Sequence, residues 1–336
     1  MAKRRLGPFE VESVGLGCMS LSWAYGTPPS DADGERLLHR ALDLGYDFLD
    51  TAALYGEGHN ERLIGRALHA RRGEFTLASK CGIRVGDEGA RVLDGSRAGV
   101  TAVLDESLTR LGLDHIDLYY LHRLDPKTPI EESVGALADA VQAGKIGSIG
   151  LSEVSAATLR RAAAVAPIAA LQTEYSLWTR NPELGALAAC RELGTTFVAF
   201  SPVGRGFLAD GVPDPTALPD RDIRRTMPRF REPNLGHNRV LLDVLRGIAA
   251  ELGHTPAQIC LAWLLTRDST IVTIPGTASI AHLEENWAAR DLVLDAVAIA
   301  RLDGLINQST VAGHRYSAAM NASIDTEDFA PAMTDA

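Results

Sequence analysis

Short apolar runs alternate with longer amphipathic stretches along most of the chain. The apolar runs have the length and composition of strands that are covered on both faces. The stretches between them carry apolar residues at helical spacing, and several end at a glycine, as helices commonly do. Strands that alternate with helices in this way predict a parallel sheet.

This alternation predicts eight strands, nine helices and a preceding hairpin at residues 6–11. The predicted strands are residues 14–19, 48–50, 75–80, 116–121, 146–152, 171–174, 196–200 and 271–274. The predicted helices are residues 31–44, 60–68, 97–111, 130–143, 156–166, 183–193, 239–252, 256–265 and 280–288. Such a series is typical of an α/β protein with a closed (β/α)8 TIM barrel. An open, doubly wound sheet is the alternative, but no G-x-G-x-x-G sequence follows the first strand.

We expect residues 1–336 to form one barrel domain, with its core at about 14–306 and a tail at 307–336. Residues 201–236, between the seventh strand and its helix, are rich in Pro, Asp and Arg. Connections of this length usually serve as lids or binding segments. The tail has little periodicity, so we expect about its last ten residues to lack fixed structure.

Composition narrows the choice of partners. Acidic residues outnumber basic ones, 43 to 33, and give a formal net charge of −10, so no nucleic acid partner is expected. No apolar run approaches the roughly 18 residues of a membrane span, and no targeting signal is recognisable, so we expect a cytoplasmic protein that binds no membrane. The four cysteines form no C-x-x-C pair, and neither a metal site nor a disulfide is expected. The sequence leaves the oligomeric state open.

Four side chains with acid, base or hydrogen-bonding chemistry follow neighbouring strands. Asp50 ends the second predicted strand, and Tyr55 lies in the loop after it. Lys80 ends the third strand and His122 follows the fourth. Active sites of (β/α)8 barrels are built at the carboxyl ends of the strands, so we expect these four to meet at one mouth.

Several longer motifs occur at the same strand ends. They are FLDTAALYGEGHNE at 48–61, ASK at 78–80, LHR at 121–123 and IPGT at 274–277. Further motifs are GLSE at 150–153, QTEYSLW at 172–178, SPVGRGFL at 201–208 and GHRY at 313–316. In this order the motifs resemble those of the aldo-keto reductase superfamily, and in particular its microbial and plant-like branch that reduces small aldehydes. The resemblance covers nearly the whole chain.

The resemblance implies reduction of a carbonyl by hydride from a nicotinamide cofactor, with Tyr55 as the proton donor. A nearby ammonium lowers the pKa of a phenol, so we expect Lys80 to acidify Tyr55. Asp50 is then expected to keep Lys80 charged and oriented, and His122 to donate a hydrogen bond to the substrate oxygen.

The resemblance also implies a cofactor site for NADPH, with NADH possible. Ser152 and Gln172 are implied to bind the carboxamide and Tyr175 to stack on the nicotinamide ring. Ser201, Gly204 and Arg205 are implied to bind the pyrophosphate. The adenosine end is implied to contact Pro275, Gly276, Thr277, Ser279, His282, Glu285 and Asn286.

The chain departs from the family pattern at two places. Glu153 stands where an asparagine usually completes the carboxamide site. Members that prefer NADPH usually carry Lys or Arg near the adenosine phosphate, where this chain has Ala278, Ser279 and His282. We therefore expect a real but weak preference for NADPH.

Apolar side chains are expected to surround the carbonyl substrate. They are Trp23, Tyr25, Leu54, Leu124 and Trp178, and they favour aromatic or medium aliphatic aldehydes. Two other functions stay open. One is a nicotinamide-binding regulatory subunit with slow turnover, which resembles the β subunits of potassium channels. The other is an aldolase-like barrel in which Lys80 forms a Schiff base, although Asp50 disfavours the neutral amine that this needs.

Overall fold

The computed structural model describes residues 3–85, 91–209, 214–321 and 324–329 of the chain. Twelve strands lie in these residues. They are β1 (Arg4–Leu6), β2 (Phe9–Val11), β3 (Leu16–Gly17), β4 (Phe48–Asp50), β5 (Thr76–Cys81), β6 (Ile83–Val85), β7 (Arg91–Leu93), β8 (Ile116–Leu121), β9 (Ile146–Ser152), β10 (Ile168–Glu174), β11 (Thr196–Phe200) and β12 (Ile271–Thr273).

Eleven α-helices lie in the same described residues, and the first nine include the helices that connect the barrel strands. They are α1 (Asp31–Leu44), α2 (His59–Leu68), α3 (Arg97–Leu111), α4 (Ile130–Gln142), α5 (Ala156–Ala163), α6 (Ala186–Leu193), α7 (Asn234–Glu251), α8 (Pro256–Arg267), α9 (Ile280–Ala288), α10 (Ala296–Leu305) and α11 (Ala318–Asn321).

Eight parallel strands of the described chain form one sheet, in the order β3-β4-β5-β8-β9-β10-β11-β12. The sheet closes on itself, because the amide of Gly15 donates to the carbonyl of Thr273 at 2.8 Å. The amide of Thr273 in turn donates to the carbonyl of Ser13 at 3.0 Å, and a further bridge joins Gly17 to Gly276. The predicted (β/α)8 barrel is confirmed.

Side chains alternate between the inside and the outside of the barrel, as the two-residue period of a strand requires. The inner set is a small, buried apolar cluster. It includes Phe48, Ala78, Leu118, Tyr120, Ala170, Val198 and Val272. Their neighbours in sequence, such as Leu49 and Leu77, belong to a second and larger apolar cluster, the outer core, which includes buried side chains of the helices. Each strand therefore has a fixed inner register, which decides what its last residues face.

The hairpin of β1 and β2 covers the amino-terminal end of the barrel strands. Leu6 and Val11 are fully buried and belong to the inner apolar cluster. The guanidinium of Arg4 donates to the carbonyls of Leu265 at 2.9 Å and Asp268 at 3.0 Å, just before β12. The predicted hairpin is confirmed, and it begins two residues earlier than expected.

Helices α1, α3 and α9 have the predicted bounds, and α2, α4, α5 and α8 differ at one end by one to three residues. The glycines after α1, α3 and α6 adopt the left-handed conformation that ends a helix. Helix α7 begins at Asn234, five residues before the predicted start. The helix predicted at 183–193 is divided, because Gly185 is extended (φ −170°) between a 3-10 turn (Asn181–Leu184) and α6.

The hydrophobic pattern misses several features. The hairpin of β6 and β7 lies between β5 and α3, and α10 follows α9. Met19–Leu21 forms a 3-10 turn where the first strand was expected to continue, so β3 is shorter than predicted. The long connection after β11 contains three short 3-10 turns in its described part, and residues 210–213 lie outside that part.

The segment that ends at residue 329 packs against the start of α5. The carboxylate of Asp325 accepts the amide of Ser155 at 3.0 Å, and that of Glu327 accepts the amide of Ala156 at 2.8 Å. Negative charge is favoured at the amino terminus of a helix. Three of the ten residues expected to lack fixed structure are therefore ordered, and residues 330–336 lie outside the described chain.

A buried network of ion pairs links the segment that contains Arg315 to the barrel. Arg315 donates two hydrogen bonds to Glu153, at 2.9 and 3.0 Å, and two to Glu174, at 3.2 and 3.4 Å. Arg205 donates to Glu174 at 2.6 Å. All four side chains are at most 8% exposed, so each charge relies on its partners for the stabilisation that water gives elsewhere. Burial by itself raises the pKa of Glu174, but the charges of Arg205 and Arg315 outweigh it and lower that pKa to about 2.

We expect the ionised Glu174 to stabilise the fold at neutral pH and to lose this effect in acid. Its pKa in the folded protein lies below the ordinary value of 4.5, so its contribution is complete above that pH and is lost as the pH falls toward 2. A shift of this size corresponds to about 3 kcal/mol. Chemical denaturation at pH 7, 5, 4 and 3 measures it, and Glu174→Gln is expected to be less stable at pH 7 and less sensitive to acid.

The control is Glu192→Gln, which removes a carboxylate from an exposed ion pair with Arg160. Exposed pairs contribute little, so this variant is expected to match the wild type in stability and acid response. Equal acid responses in wild type and Glu174→Gln would contradict the assignment.

Candidate active site

Polar side chains occupy the inner positions at the carboxyl ends of five neighbouring strands. Each lies two residues beyond a member of the inner register, so it faces the interior of the barrel mouth. They are Asp50 on β4, Lys80 on β5, His122 after β8, Ser152 on β9 and Gln172 on β10. The structure brings all of them together, and the loop after β4 adds Tyr55.

Three oxygens surround the ammonium of Lys80. Its Nζ forms an ion pair with Asp50 and donates to the carbonyl of Thr51 at 2.8 Å and to the hydroxyl of Tyr55 at 3.4 Å. The other carboxylate oxygen of Asp50 accepts a hydrogen bond from the side-chain amide of Gln172 at 2.7 Å. Lys80 is thereby fixed in orientation, and the Tyr55 hydroxyl lies against a positive charge.

Tyr55 and His122 reach the surface of the mouth, and each is 8% exposed. Their ring centroids are 5.9 Å apart and the planes are nearly perpendicular. The centroid of the Trp23 ring lies 6.4 Å from that of Tyr55, with the two planes nearly parallel. The amide of His122 donates to the carbonyl of Cys81 at 2.8 Å, which fixes the backbone beneath the imidazole. A small group held between Tyr55 and His122 can receive hydrogen bonds from both.

Burial raises the pKa of Tyr55, and the charge of Lys80 offsets only part of that rise. The expected acidification of Tyr55 is therefore wrong as a net effect, although Lys80 acts in the expected direction. Burial lowers the pKa of Lys80, but Asp50 and Tyr55 outweigh it and raise the pKa. At neutral pH the phenol is protonated and the amine is charged, which is the state that proton donation requires.

These groups open into a cleft of about 880 Å³ that crosses the mouth. Three of the five residues predicted to surround the substrate, Trp23, Tyr25 and Leu54, line this cleft. The segment after α10 adds side chains that the sequence did not predict. They are Tyr316, Met320 and Ile324. The GHRY motif at 313–316 marks the start of this segment, but no periodic pattern does, and its packing is what shows that it walls the site.

Trp178 does not line the cleft, which corrects its predicted contact with substrate. Its ring is buried, stacks on Phe207 at 4.5 Å between centroids and lies 5.2 Å from the guanidinium of Arg229. The ring lies so close to Gly204 that a Cβ atom built there would come within 2.7 Å of it. Trp178 therefore packs directly against the loop after β11. Leu124 also packs against the outer core rather than the cleft, and its prediction is corrected too.

Tyr175 lies outside the barrel, because Gln172 and Glu174 take the inner positions of β10 and the next residue faces outward. Its ring contacts Trp263 at 5.7 Å between centroids, and its hydroxyl donates to Glu183 at 2.8 Å. The predicted stacking on nicotinamide is therefore corrected. On the neighbouring strand β11, Phe200 lies two residues beyond Val198 of the inner register, and its aromatic ring lines the cleft. The inner register of β11 could have identified it.

Most of the residues predicted to bind the cofactor line the cleft. They are Ser152, Gln172, Ser201, Arg205, Gly276, Thr277, His282, Glu285 and Asn286. Gly204, Pro275 and Ser279 do not line the cleft. The carbonyl of Pro275 accepts a hydrogen bond from the amide of Gly17 at 3.3 Å. The hydroxyl of Ser279 caps α9 by accepting a hydrogen bond from the amide of His282 at 3.4 Å.

The loop after β11 is strained. Ser201 and Arg205 are in the left-handed region, at φ 50° and 58°, where residues with a side chain are uncommon. Alternation of such residues with glycines can turn successive amides toward one side, which suits a phosphate group. Arg205 lines the cleft as predicted, but its charge is paired with Glu174, which weakens its predicted part in binding pyrophosphate.

The far end of the cleft lies at the amino terminus of α9. His282 is exposed there, and Glu285 accepts the hydroxyl of Thr255. No Lys or Arg of the described chain lines this end of the cleft. Ser152 and Gln172 lie beside the tetrad of Asp50, Tyr55, Lys80 and His122, the strained loop follows, and the helix terminus lies at the far end. The cleft could thus hold, in this order, the carboxamide, phosphates and adenosine of a nicotinamide cofactor.

None of the helices in the described part of the chain combines the length and apolar character that crossing a bilayer requires. Within the same residues, no group of three or more His, Cys, Asp or Glu side chains is arranged to hold a metal ion.

Comparison with known proteins identifies the family. The model of the aldo/keto reductase family matches residues 13–307. A Schizosaccharomyces pombe protein named as an NADP(+) aldo-keto reductase (yakc) is 42% identical over 319 residues, which cover 93% of this chain and 94% of the relative.

Solved structures agree with this result. A glycerol dehydrogenase from Gluconobacter oxydans superposes with a TM-score of 0.82 at 28% identity and covers 90% of this chain and 94% of its own. An aldo/keto reductase from Klebsiella pneumoniae in complex with NADP and acetate gives a TM-score of 0.72 at 26% identity, over 94% of this chain and 99% of its own. The family match and the 42% identical relative are decisive: this chain belongs to the aldo/keto reductase family.

Proposed function

We propose that this protein reduces aldehydes and ketones to alcohols with NADPH as the reductant. The balanced reaction converts a carbonyl compound, NADPH and a proton into an alcohol and NADP⁺. The observation that carries the proposal is the Tyr55 hydroxyl beside the buried Lys80 and Asp50 pair, at the wall of a cleft of about 880 Å³. The Schizosaccharomyces pombe relative named for NADP(+) and the Klebsiella pneumoniae structure in complex with NADP support the choice of cofactor.

The residues present fit a nicotinamide cofactor, which when bound supplies hydride to the carbonyl carbon. Ser152 and Gln172 would bind the carboxamide beside the tetrad, and Phe200 would face the ring. The loop containing Ser201 would follow the phosphates, and the amino terminus of α9 would face the adenosine phosphate.

The tetrad side chains divide the work at the carbonyl oxygen. Tyr55 donates its proton as negative charge develops there, and His122 donates a hydrogen bond to the same oxygen. Lys80 stabilises the phenolate that remains, and Asp50 keeps the ammonium in position. An alkoxide is a much stronger base than a phenolate, so this transfer is favourable although burial raises the pKa of Tyr55.

The two other functions considered from the sequence are less well supported. Asp50 and Tyr55 hold the amine of Lys80 in its charged form, whereas a Schiff base needs the neutral amine. A regulatory subunit would bind the cofactor but turn over slowly. Steady oxidation of NADPH by an aldehyde at more than about one turnover per second distinguishes an enzyme from such a subunit.

We expect Tyr55→Phe to lower kcat for carbonyl reduction by about 100-fold or more, because it removes the proton donor. The dissociation constant for NADPH is expected to change little, since the hydroxyl acts on charge that develops in the transition state. Absorbance assays and fluorescence titration measure the two quantities. Tyr119→Phe, which alters a phenol of the outer core, is the control. A rate near wild type in Tyr55→Phe would reject the mechanism.

Lys80→Met is expected to be as damaging as Tyr55→Phe, and Asp50→Asn milder, because the asparagine variant keeps the ammonium. The carboxylate of Asp50 raises the pKa of Lys80, so its removal lowers that pKa. We therefore expect the alkaline limb of the kcat/KM profile to move to lower pH in Asp50→Asn. A greater loss of activity in Asp50→Asn than in Lys80→Met would show that the assigned roles are wrong.

We expect His282→Arg to tighten NADPH binding by roughly 1 to 3 kcal/mol, because a permanent cation at the amino terminus of α9 can pair with the adenosine phosphate. NADH has no such phosphate, so its affinity is expected to change little.

Dissociation constants of both cofactors at pH 7 provide the measurement. His69→Arg makes the same substitution at an exposed site between α2 and β5, near the amino-terminal end of the strands, and serves as the control. No gain in NADPH affinity from arginine, or an equal gain in NADH affinity, would show that His282 does not face the phosphate.

A further inference from the structure

Three arginines of the described chain line the cleft, and two of them are paired with carboxylates. Arg205 donates to Glu174 at 2.6 Å. Arg224 donates to both carboxylate oxygens of Asp222, at 3.0 and 2.7 Å. Arg123, directly after His122, forms no ion pair with any residue that the structure describes. It is therefore the cleft arginine whose charge the described residues leave uncompensated.

Three acidic side chains at the ends of the barrel strands or in the loop after Arg123 have other partners. Asp50 is paired with Lys80, and Glu153 with Arg315. Asp125, two residues along the chain, accepts the amides of Gly95 and Lys127, at 3.1 and 2.9 Å. Arg123 therefore has no carboxylate as an ion-pair partner in the described part of the chain.

One edge of the Arg123 guanidinium is used and the other is open. Nη1 donates to the carbonyl of His122 at 2.7 Å and to the hydroxyl of Ser152 at 3.2 Å, which fixes the plane of the group. Nε and Nη2 have no acceptor among the described residues. These two nitrogens form the side of the guanidinium whose parallel N–H bonds match the two oxygens of a carboxylate.

The same edge binds carboxylates elsewhere in this molecule. Nε and Nη2 of Arg161 donate to the two oxygens of Glu131, each at 2.9 Å. Arg224 uses the same two nitrogens for Asp222. Arg123 presents this arrangement to the cleft, next to Tyr55 and His122.

We propose that Arg123 binds the carboxylate of the substrate, so that the preferred substrates are aldehydes and ketones that carry a carboxylate group. The inference rests on the proposed carbonyl reduction and names the substrate class of that same site. A carboxylate is preferred to a phosphate, because a single uncompensated guanidinium matches one negative charge. The carboxylate anchors the molecule while its carbonyl lies between Tyr55 and His122.

Pairs of substrates that differ only in charge test this inference. The three isomers of carboxybenzaldehyde are compared with their methyl esters, because the isomers vary the separation of carboxylate and carbonyl. Wild type is expected to prefer at least one acid over its ester by about 10- to 100-fold in kcat/KM, the range of a charge-assisted bidentate contact. Arg123→Gln is expected to bring that ratio to about one or below.

Two further variants sharpen the test. Arg123→Lys keeps the charge but not the paired N–H bonds, so an intermediate ratio is expected. Arg84→Gln removes an exposed arginine of β6, paired with Asp94 at 3.6 Å, and is expected to leave the ratio at the wild-type value. Binding of benzoate, measured by tryptophan fluorescence with NADP⁺ present, gives a readout independent of turnover. It is expected to weaken about tenfold or more in Arg123→Gln.

The outcomes separate this inference from the proposed function. Oxidation of NADPH with the esters but no preference for any acid in wild type overturns the role of Arg123 and leaves carbonyl reduction standing. An equal loss with acid and ester in Arg123→Gln, or weaker NADPH binding, overturns it in favour of a contact with the cofactor. No reduction of any acid or ester by wild type overturns the proposed function itself.

Discussion

The ion pair between Lys80 and Asp50 is the interaction on which the barrel mouth depends. Both groups are at most 2% exposed, and burial of either charge without the other would be very unfavourable. The pair binds β4 to β5, and through Gln172 it extends to β10 on the far side of the barrel. The Tyr55 hydroxyl therefore lies next to a positive charge whose position is fixed. Rigidity and reactivity at this site therefore have one physical source.

The inner register of the strands explains how much the sequence could predict. Strands end in Asp50, Lys80 and Ser152, and once the barrel closes these positions have to meet, because residues two apart share a face. The pattern of apolar residues therefore predicted the barrel, and the strand ends predicted the four tetrad positions. The same rule applied residue by residue distinguishes Phe200, which faces inward, from Tyr175, which faces outward. Motif resemblance alone did not make that distinction.

Other parts of the site could not be predicted, because long-range packing determines them. Tyr316 and Met320 belong to a segment without periodicity, and their place in the wall follows from the contacts of Arg315. Trp178 has the size and polarity of a substrate contact, yet the loop above it covers the ring. The pKa of Tyr55 depends on a balance between burial and the charge of Lys80, and that balance requires coordinates.

The carboxylate of Glu153 has a consequence for the exchange of segments between related barrels. A family member with a neutral side chain at this position needs no cation above it, whereas here Glu153 lies close to Glu174 and both share Arg315. A grafted carboxy-terminal segment without an arginine at position 315 would leave two buried carboxylates with Arg205 as their main counter-charge. The segment that contains Tyr316 and Met320 is therefore exchangeable only together with the residue at position 153.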